Sequence, residues 1–411
     1  MKKLFPVFLL VPFLIASFSC SSHDGIINPL SNKTLTPVDK KVASTSGLFG
    51  INLLKDIDKS EADSNIFISP LSISTALGMT LNGANGSTYI QMINTLQLSG
   101  NPQAEVNQAY LNLNNILTTA DPNVSFTDAN SIWCRQGLSF EQNFLDVNQK
   151  YFNAYIQSLN FTNPASVGTI NTWVNDNTNG KITQIINRIP SSAVMYLINA
   201  IYFKAAWKNK FDSSLTTLKP FIPSNGSVVQ CEMMKQQNNF NYYTGSNYRA
   251  LEIPYGNGNF NMLIILPNDS VDVYQLLSQV NGFMLNQISA GMTQQQVTLY
   301  LPRFQVSYNI SLKYPLIDLG MVNAFDPLSA DFSNISKTLQ LYISDVIHKT
   351  YVKVGEEGTE AAAVTAVEMS MLAIFEDPGI VFSVDHPFVF LITEKNSGAI
   401  LFAGKIVNPL N

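Results

Sequence analysis

The chain has 411 residues but is poor in the side chains from which metal and catalytic sites are usually built. Histidine and cysteine occur at three positions each, and no CxxC or clustered Cys/His spacing joins them. A serine or cysteine nucleophile would need a nearby base, and no GxSxG, HExxH or phosphate-binding glycine loop is present. We therefore expect no metal, no cofactor and no enzyme activity, and a hydrolase is disfavoured. The residues concerned are His23, His348, His386, Cys20, Cys134 and Cys231.

Charged side chains are also scarce, at 13 % of the residues, which is about half of their usual share. Lys and Arg number 24 against 29 Asp and Glu, without a dense basic run, and this balance excludes nucleic acid as a partner. Hydrophobic residues make up 46 % of the chain, so a large core can form without disulfides. Cys134 and Cys231 are accordingly expected to be separate buried thiols rather than a bridge.

One long apolar run exists, at residues 4–18, directly after Lys2 and Lys3. It is short for a spanning helix and contains two prolines, and its basic start predicts an export signal over residues 1–19. The residues before Cys20 resemble the lipobox of bacterial lipoproteins, in which the cysteine becomes lipidated. We expect an exported protein, held by lipid on Cys20 at an outer membrane and facing the periplasm or the cell surface. Plain secretion is the alternative.

Residues 20–44 are rich in Ser, Thr, Asn, Asp and Pro without periodicity, which predicts a flexible tether. Residues 45–411 contain no linker or repeat and are expected to form one domain. Apolar residues recur at helical spacing over 48–57, and Ser69 followed by Pro70 predicts the start of a helix that ends near Asn82. Four later apolar runs predict strands, the first of them central in a sheet covered on both faces, at residues 196–206, 260–266, 297–301 and 400–407. The fold class is mixed α+β.

A segment near the C-terminus has two interpretations. Read with period two from Thr359 to Ser370, it has an uncharged face and a second face that carries Glu360 and Glu368. That alternation is typical of a strand with one face on a core. Alanine is also the best helix former, so propensity alone favours an ordinary helix over 360–368. The residues by themselves leave both open.

Several motifs, in order along the chain, decide between these interpretations. The run GEEGTEAAAVT at 355–365 resembles the hinge of the serpins, the serine protease inhibitor superfamily. Further resemblances to that family extend from about Thr45 to Asn411. They are NIFISPLSI at 65–73, NAIYFKAAW at 199–207, LPRF at 301–304, ISDVIHK at 343–349, DHPFVF at 385–390 and FAGKIVNP at 402–409.

The resemblance implies a serpin fold: a large, mostly antiparallel central sheet, additional sheets, about eight or nine helices and an exposed C-terminal reactive loop. It also implies a suicide mechanism, in which a protease cuts the loop, becomes acylated and is trapped when the cut loop inserts into the sheet. The corresponding positions here are the hinge residues Glu356, Glu357, Gly358, Thr359, Glu360, Ala361, Ala362 and Ala363, the sheet-opening (shutter) residues Ser69, Ser72, Asn199 and His348, and Trp207 at the breach where insertion begins.

The small, uncharged Thr359 and the alanines after it favour an inhibitor, because insertion must bury them quickly. Family spacing from Glu356 places the reactive bond at Leu372–Ala373. Lys and Arg are absent between Lys353 and Lys395, so the expected partners are chymotrypsin-, elastase- or subtilisin-like serine proteases, or papain-like cysteine proteases. A non-inhibitory serpin acting as a binding or structural lipoprotein is the rival hypothesis, and a monomer is expected. Alternative reactive residues are Met369, Met371 and Ile374.

Overall fold

The computed structural model describes residues 34–359 and 379–411. Within these residues the chain forms ten α-helices and a short 3₁₀ helix, Ser213–Leu215. The helices are α1 Pro37–Asp58, α2 Pro70–Leu81, α3 Gly86–Thr95, α4 Gln103–Thr119, α5 Gln142–Phe152, α6 Ala165–Asn177, α7 Val273–Gln279, α8 Gly282–Gly291, α9 Lys313–Asp318 and α10 Val322–Phe325.

Fifteen strands alternate with these helices in the same part of the chain. They are β1 Ile66–Ile68, β2 Val124–Arg135, β3 Tyr155–Leu159, β4 Met195–Ala206, β5 Thr217–Phe221, β6 Val229–Thr244, β7 Tyr248–Tyr255, β8 Phe260–Pro267, β9 Thr293–Pro302, β10 Phe304–Ser311, β11 Ile347–Gly355, β12 Gly358–Thr359, β13 Ile380–Ser383, β14 Phe388–Glu394 and β15 Ile400–Ile406.

The strands form two sheets. One has nine strands in the order β1-β15-β14-β8-β7-β6-β9-β13, with β5 paired to β6. The other has six in the order β10-β11-β12-β4-β2-β3 and is antiparallel except for the β2–β3 pair. The main hydrophobic core joins residues of both sheets and of the helices. Every residue of β8 is buried. A smaller cluster around Trp133 packs between β2, β4 and α6.

Helix α2 shows why the local sequence predicts its start correctly. The hydroxyl of Ser69 accepts a hydrogen bond from the Ser72 backbone N–H, and Pro70 occupies the first helical position, where no N–H is needed. This N-cap also fixes Ser69 at the end of β1, within hydrogen-bond reach of β11 in the six-stranded sheet. The four strands predicted from apolar runs are confirmed as β4, β8, β9 and β15, and β4 lies inside its sheet.

One expectation needs correction. Residues 37–44, expected to belong to the flexible tether, form the first turns of α1, because Thr36 and Asp39 make a reciprocal capping box around Pro37. The ten α-helices of the described residues agree with the expected number of about eight or nine, and the short α9 and α10 lie in the connection after β10. None of the helices in residues 34–359 and 379–411 is both long and apolar enough to cross a membrane. Cys134 and Cys231 are free and buried, as expected.

Candidate functional site

The hinge motif lies where β11 turns into β12. The chain leaves β11 at Gly355, turns through Glu356 and Glu357, and returns as β12, whose two residues lie between β11 and β4. Thr359 is paired with Val354 on one side and with Ala205 on the other. Among the described residues, β12 is the only strand that links β4 to β11. Gly358 and Thr359 of the hinge are therefore already part of the six-stranded sheet.

Thr359 occupies a closed site within the sheet. Its exposed fraction is 2 %, and its hydroxyl oxygen lies 2.5 Å from that of Tyr255, which is fully buried. Burial raises the pKa of Tyr255 far above its ordinary value, so the phenol stays neutral. The site thus offers one neutral hydroxyl partner and accepts a small side chain that carries no charge.

Gly358 is required by the geometry of this insertion. Its φ is +148°, and a Cβ built on it would lie 2.1 Å from the carbonyl oxygen of Ala205 and 2.7 Å from the Cα of Ala206. Both neighbours are backbone atoms of β4, which cannot move without breaking the pairing of the strand. Only glycine therefore allows the chain to enter the sheet at this position.

Trp207 holds the turn from the side of β4. Its indole N–H donates to the Gly355 carbonyl at 2.8 Å, and its backbone N–H donates to the Glu357 carbonyl at 2.9 Å. The ring stacks on Tyr255 with a centroid distance of 4.3 Å. Trp207 is thus placed beside the hinge, and it connects the backbone of the turn to the ring that contacts Thr359.

Glu356 is anchored to the nine-stranded sheet by Arg303, the residue between β9 and β10. Arg303 Nε donates to both Glu356 carboxylate oxygens, at 2.8 and 2.9 Å, and the Thr216 hydroxyl donates at 2.6 Å. Burial by itself would raise the pKa of Glu356, but the hydrogen bonds from Arg303 and Thr216 outweigh it and hold the pKa below its ordinary value. Arg303 also contacts Glu232 at 2.6 Å, so the turn is tied to β6 as well.

The shutter residues form one hydrogen-bonded group of three and a fourth residue that lies apart. The Ser69 backbone N–H donates to His348 Nε2 at 3.0 Å, the Ser69 hydroxyl donates to the Leu401 carbonyl at 2.7 Å, and the Ser72 N–H donates to the Ser69 hydroxyl. Burial lowers the pKa of His348 to about 3. The imidazole is therefore neutral, and its proton is on Nδ1 because Nε2 accepts.

Asn199 does not join that group. Its amide nitrogen donates to Asp128 Oδ1 and, at 2.8 Å, to Asn130 Oδ1, both on β2. Asn199 and His348 instead line the same cavity of about 650 Å³, which lies between the first halves of β4 and β11 and also touches Ser72 on α2. Asn199 and His348 are each six residues before the residues that pair with Thr359, Ala205 on β4 and Val354 on β11.

His386 lies between β13 and β14, where its Nδ1 contacts Asp385 at 2.8 Å and its Nε2 contacts the Pro267 carbonyl at 2.8 Å. The remaining predicted site residues fall outside the described residues. They are Cys20, Glu360, Ala361, Ala362, Ala363, Met369, Met371, Leu372, Ala373 and Ile374.

Sequence reasoning missed four contributors to the hinge: Tyr255, Thr216, Lys210 and the role of Arg303 within its motif. Lys210 pairs with Glu357 at 2.6 Å. Each is far from the hinge in sequence, and only the pairing of the strands brings them to it. Among residues 34–359 and 379–411, no group of three or more His, Cys, Asp or Glu side chains is arranged to hold a metal ion.

Comparison with known proteins agrees with this geometry. Residues 44–409 match the family described as Serpin (serine protease inhibitor). A serpin-like protein of Thermococcus kodakarensis is 34 % identical over 375 residues, covering 90 % of this chain and 86 % of the relative. Leukocyte elastase inhibitor of Xenopus laevis is 33 % identical over 381 residues, covering 90 % of this chain and 100 % of the relative. The chain belongs to the serpin family.

Solved structures share the fold as well. The native state of the thermophilic serpin tengpin superimposes with a TM-score of 0.81 at 30 % identity, covering 92 % of this chain and 95 % of that one. Human thyroxine-binding globulin, solved with its ligand, superimposes with a TM-score of 0.82 at 29 % identity, covering 91 % and 100 %. The family thus includes relatives named as a protease inhibitor and as a hormone-binding protein.

Proposed function

We propose that this chain inhibits proteases as a suicide substrate, by inserting its cleaved reactive loop between β4 and β11. The observation that carries the proposal is the position of Gly358 and Thr359, which already lie between these two strands. Insertion of the cleaved loop would therefore extend β12, which is already paired with both strands.

The pairing register supports this mechanism when it is continued beyond Thr359. The next residue, Glu360, would come opposite Lys204 of β4 and Lys353 of β11, both exposed, which favours an acidic side chain on the solvent face. Five residues later, Thr365 would come opposite Asn199 and His348 and would face the cavity. Its hydroxyl suits the two polar side chains there, and the alanines at 361 and 363 suit the closed inner face.

The class of target follows from what the loop lacks. A trypsin-like protease needs Lys or Arg at the cleaved bond, and neither occurs between Lys353 and Lys395. Leu372 and its neighbours fit apolar specificity pockets, so chymotrypsin-, elastase- and subtilisin-like enzymes are the proposed targets, with papain-like proteases after them. One relative is named for inhibition of an elastase, which agrees with this choice.

A panel of proteases tests the proposal. Incubation with chymotrypsin, pancreatic elastase, subtilisin or papain should give, on a denaturing gel, a band at the summed mass of the two chains. Mass spectrometry of the released fragment should place the cut between Met369 and Phe375. Trypsin is the matched negative control and should give no such band.

Two outcomes would contradict the proposal. If every protease of the panel cuts the loop and none is retained, the chain is a substrate and the non-inhibitory hypothesis replaces ours. That hypothesis has support in the similarity to thyroxine-binding globulin. Peptide hydrolysis by the chain alone would instead indicate an enzyme.

Export and lipidation belong to the same proposal. A lipid on Cys20 would hold the inhibitor at the membrane surface, with the segment before α1 as the connection to the domain. Expression of Cys20→Ser in a diderm bacterium should move the protein from the membrane fraction to the soluble exported fraction, while Cys134→Ser leaves its distribution unchanged. Retention of Cys20→Ser in the membrane fraction would refute the anchor.

A further inference from the structure

A partly buried carboxylate lies beside the sheet opening and has no role in the hinge. Asp128 is on β2, one strand away from the cavity, and accepts a hydrogen bond from the amide nitrogen of Asn199 on β4. Asn130 accepts a second bond from the same nitrogen at 2.8 Å. Both protons of the Asn199 amide are therefore directed toward β2.

This arrangement fixes which end of the Asn199 amide is turned to β2. Asn130 donates its own amide nitrogen to the Phe152 carbonyl at 2.8 Å, so its oxygen must be the end that faces Asn199. The Asn199 oxygen is then left buried without a hydrogen-bond partner among the described residues. An unpaired buried acceptor is costly, so the two bonds to β2 must offset that cost.

Burial is the main influence on the pKa of Asp128. Burial raises the pKa of its carboxyl to about 6, and the Asn199 hydrogen bond opposes that shift, without a contribution from a charged neighbour. His348, across the cavity, has its pKa lowered to about 3, and Tyr110 has its pKa raised to about 12. Titratable and charged groups on the elements around β2 are Lys204, Tyr196 and Tyr202 of β4, Glu105 and Tyr110 of α4, Asp146, Lys150 and Tyr151 of α5, Asp176 of α6, Tyr155 of β3 and His348 of β11.

We propose that Asp128 is a positioning residue for loop insertion, because its ionised carboxylate holds the Asn199 amide against β2 and keeps the cavity between β4 and β11 clear for the incoming strand. This inference rests on the proposed function and adds to it a dependence on pH. A hydrogen bond to a carboxylate is roughly twice as strong as one between neutral groups. Protonation of Asp128 therefore frees Asn199 to turn into the cavity, where its unpaired oxygen can find a donor.

The direction of the pH effect follows. At pH 7.5 Asp128 is almost wholly ionised, Asn199 is withdrawn and insertion is fast. At pH 5.5 most Asp128 carboxyls are protonated, Asn199 competes for the cavity and insertion is slow. His348 stays neutral over this whole range, so it does not produce the effect.

The test compares Asp128→Asn with the unchanged chain between pH 5.5 and 8.0, using chymotrypsin. The number of inhibitor molecules consumed per trapped protease should be at least about 3-fold higher for Asp128→Asn than for the unchanged chain at pH 7.5, and this difference should narrow as the pH falls to 5.5. At each pH, the number for Asp128→Asn is divided by the number for the unchanged chain, and this division cancels the pH dependence of the protease itself. Asp128→Glu should restore the profile of the unchanged chain, and Asp146→Asn, on the exposed face of α5, should not alter it.

A second measurement does not depend on trapping. After the loop is nicked with thermolysin, a metalloprotease that forms no acyl-enzyme, and the protease is quenched, the rate at which the chain gains resistance to urea should fall at least about 3-fold from pH 7.5 to 5.5. In Asp128→Asn that rate should not vary with pH. Equal pH profiles for the two chains in this measurement would overturn the inference. A missing protease complex, with the nicking profiles as expected, would overturn only the proposed function.

Discussion

Replacing Thr359 by arginine should convert the chain from an inhibitor into a substrate. Thr359 is 2 % exposed between β4 and β11, and its one side-chain partner is the neutral hydroxyl of Tyr255. A guanidinium at this place would lose its hydration without gaining an anion, at a cost of several kcal/mol. The hinge would then stay outside the sheet, and hydrolysis of the acyl bond would be completed before insertion. We expect the yield of denaturation-resistant complex to fall at least about 10-fold while the rate of loop cleavage is kept.

Three further variants make this prediction specific. Thr359→Ser keeps the hydroxyl and should keep inhibition. Thr217→Arg adds the same charge at an exposed residue of β5 and should also have no effect. Gly358→Ala adds no charge but places a methyl group 2.1 Å from the Ala205 carbonyl oxygen, so it should reproduce the loss seen with arginine. An undiminished complex yield in Thr359→Arg would show that the residue need not enter the sheet.

The sequence of the hinge predicts its turn and its buried residue, but not the residues that contact them. The order of small and charged residues from Glu356 to Thr359 is a local pattern, and it identifies the turn and the residue that must be buried. The partners of that turn are not local. Arg303 is 53 positions from Glu356 and Tyr255 is 104 positions from Thr359, so no spacing rule connects them. They are brought together by the register of β11, β12 and β4.

The alanine-rich segment after Thr359 shows a different limit. Propensity favours a helix and alternation favours a strand, and both interpretations use the same residues. In the described residues, β12 is paired on both sides as far as Thr359. The choice between helix and strand for residues 360–370 stays a prediction, and it depends on the family resemblance because the intrinsic preference of the segment is weak.

The N-terminal boundary and the shutter show what local patterns leave out. The polarity between Pro37 and Ser44 hides the first turns of α1, although the capping box that starts them is readable from Thr36 and Asp39. The resemblance predicts Asn199 and His348 as shutter residues, and they line one cavity, but it does not predict that the Asn199 amide donates to Asp128. The aspartate is a feature of this chain that no motif contains, and the inference on pH arises from it.

Cutting the loop should raise the melting temperature of the chain strongly. If pairing continues from Thr359 along β4 to Met195 and along β11 to Ile347, the new strand adds about 15 hydrogen bonds between strands. Each contributes a net gain of about 1 kcal/mol, and together they roughly offset the entropy lost when the backbone is ordered. Burial of the inward face of this strand, together with the core surface that it covers, removes on the order of 500 Å² of apolar surface from water, worth about 12 kcal/mol at about 25 cal/mol per Å². A domain of this size has an unfolding entropy of about 0.8 kcal/mol per kelvin, which converts this gain into a rise of about 15 °C.

Calorimetry of the intact chain and of the chain nicked with thermolysin, a metalloprotease that forms no acyl-enzyme, measures this rise directly. The matched control is the nicked Gly358→Ala chain, which has the same cut but a backbone clash where the strand must begin, so its melting temperature should stay near that of the intact protein. This comparison separates insertion from mere relief of loop strain, because both chains lose the same constraint. A nicked chain that melts no higher than the intact one would mean that the sheet already has its most stable arrangement, and no free energy would then remain to distort a bound protease.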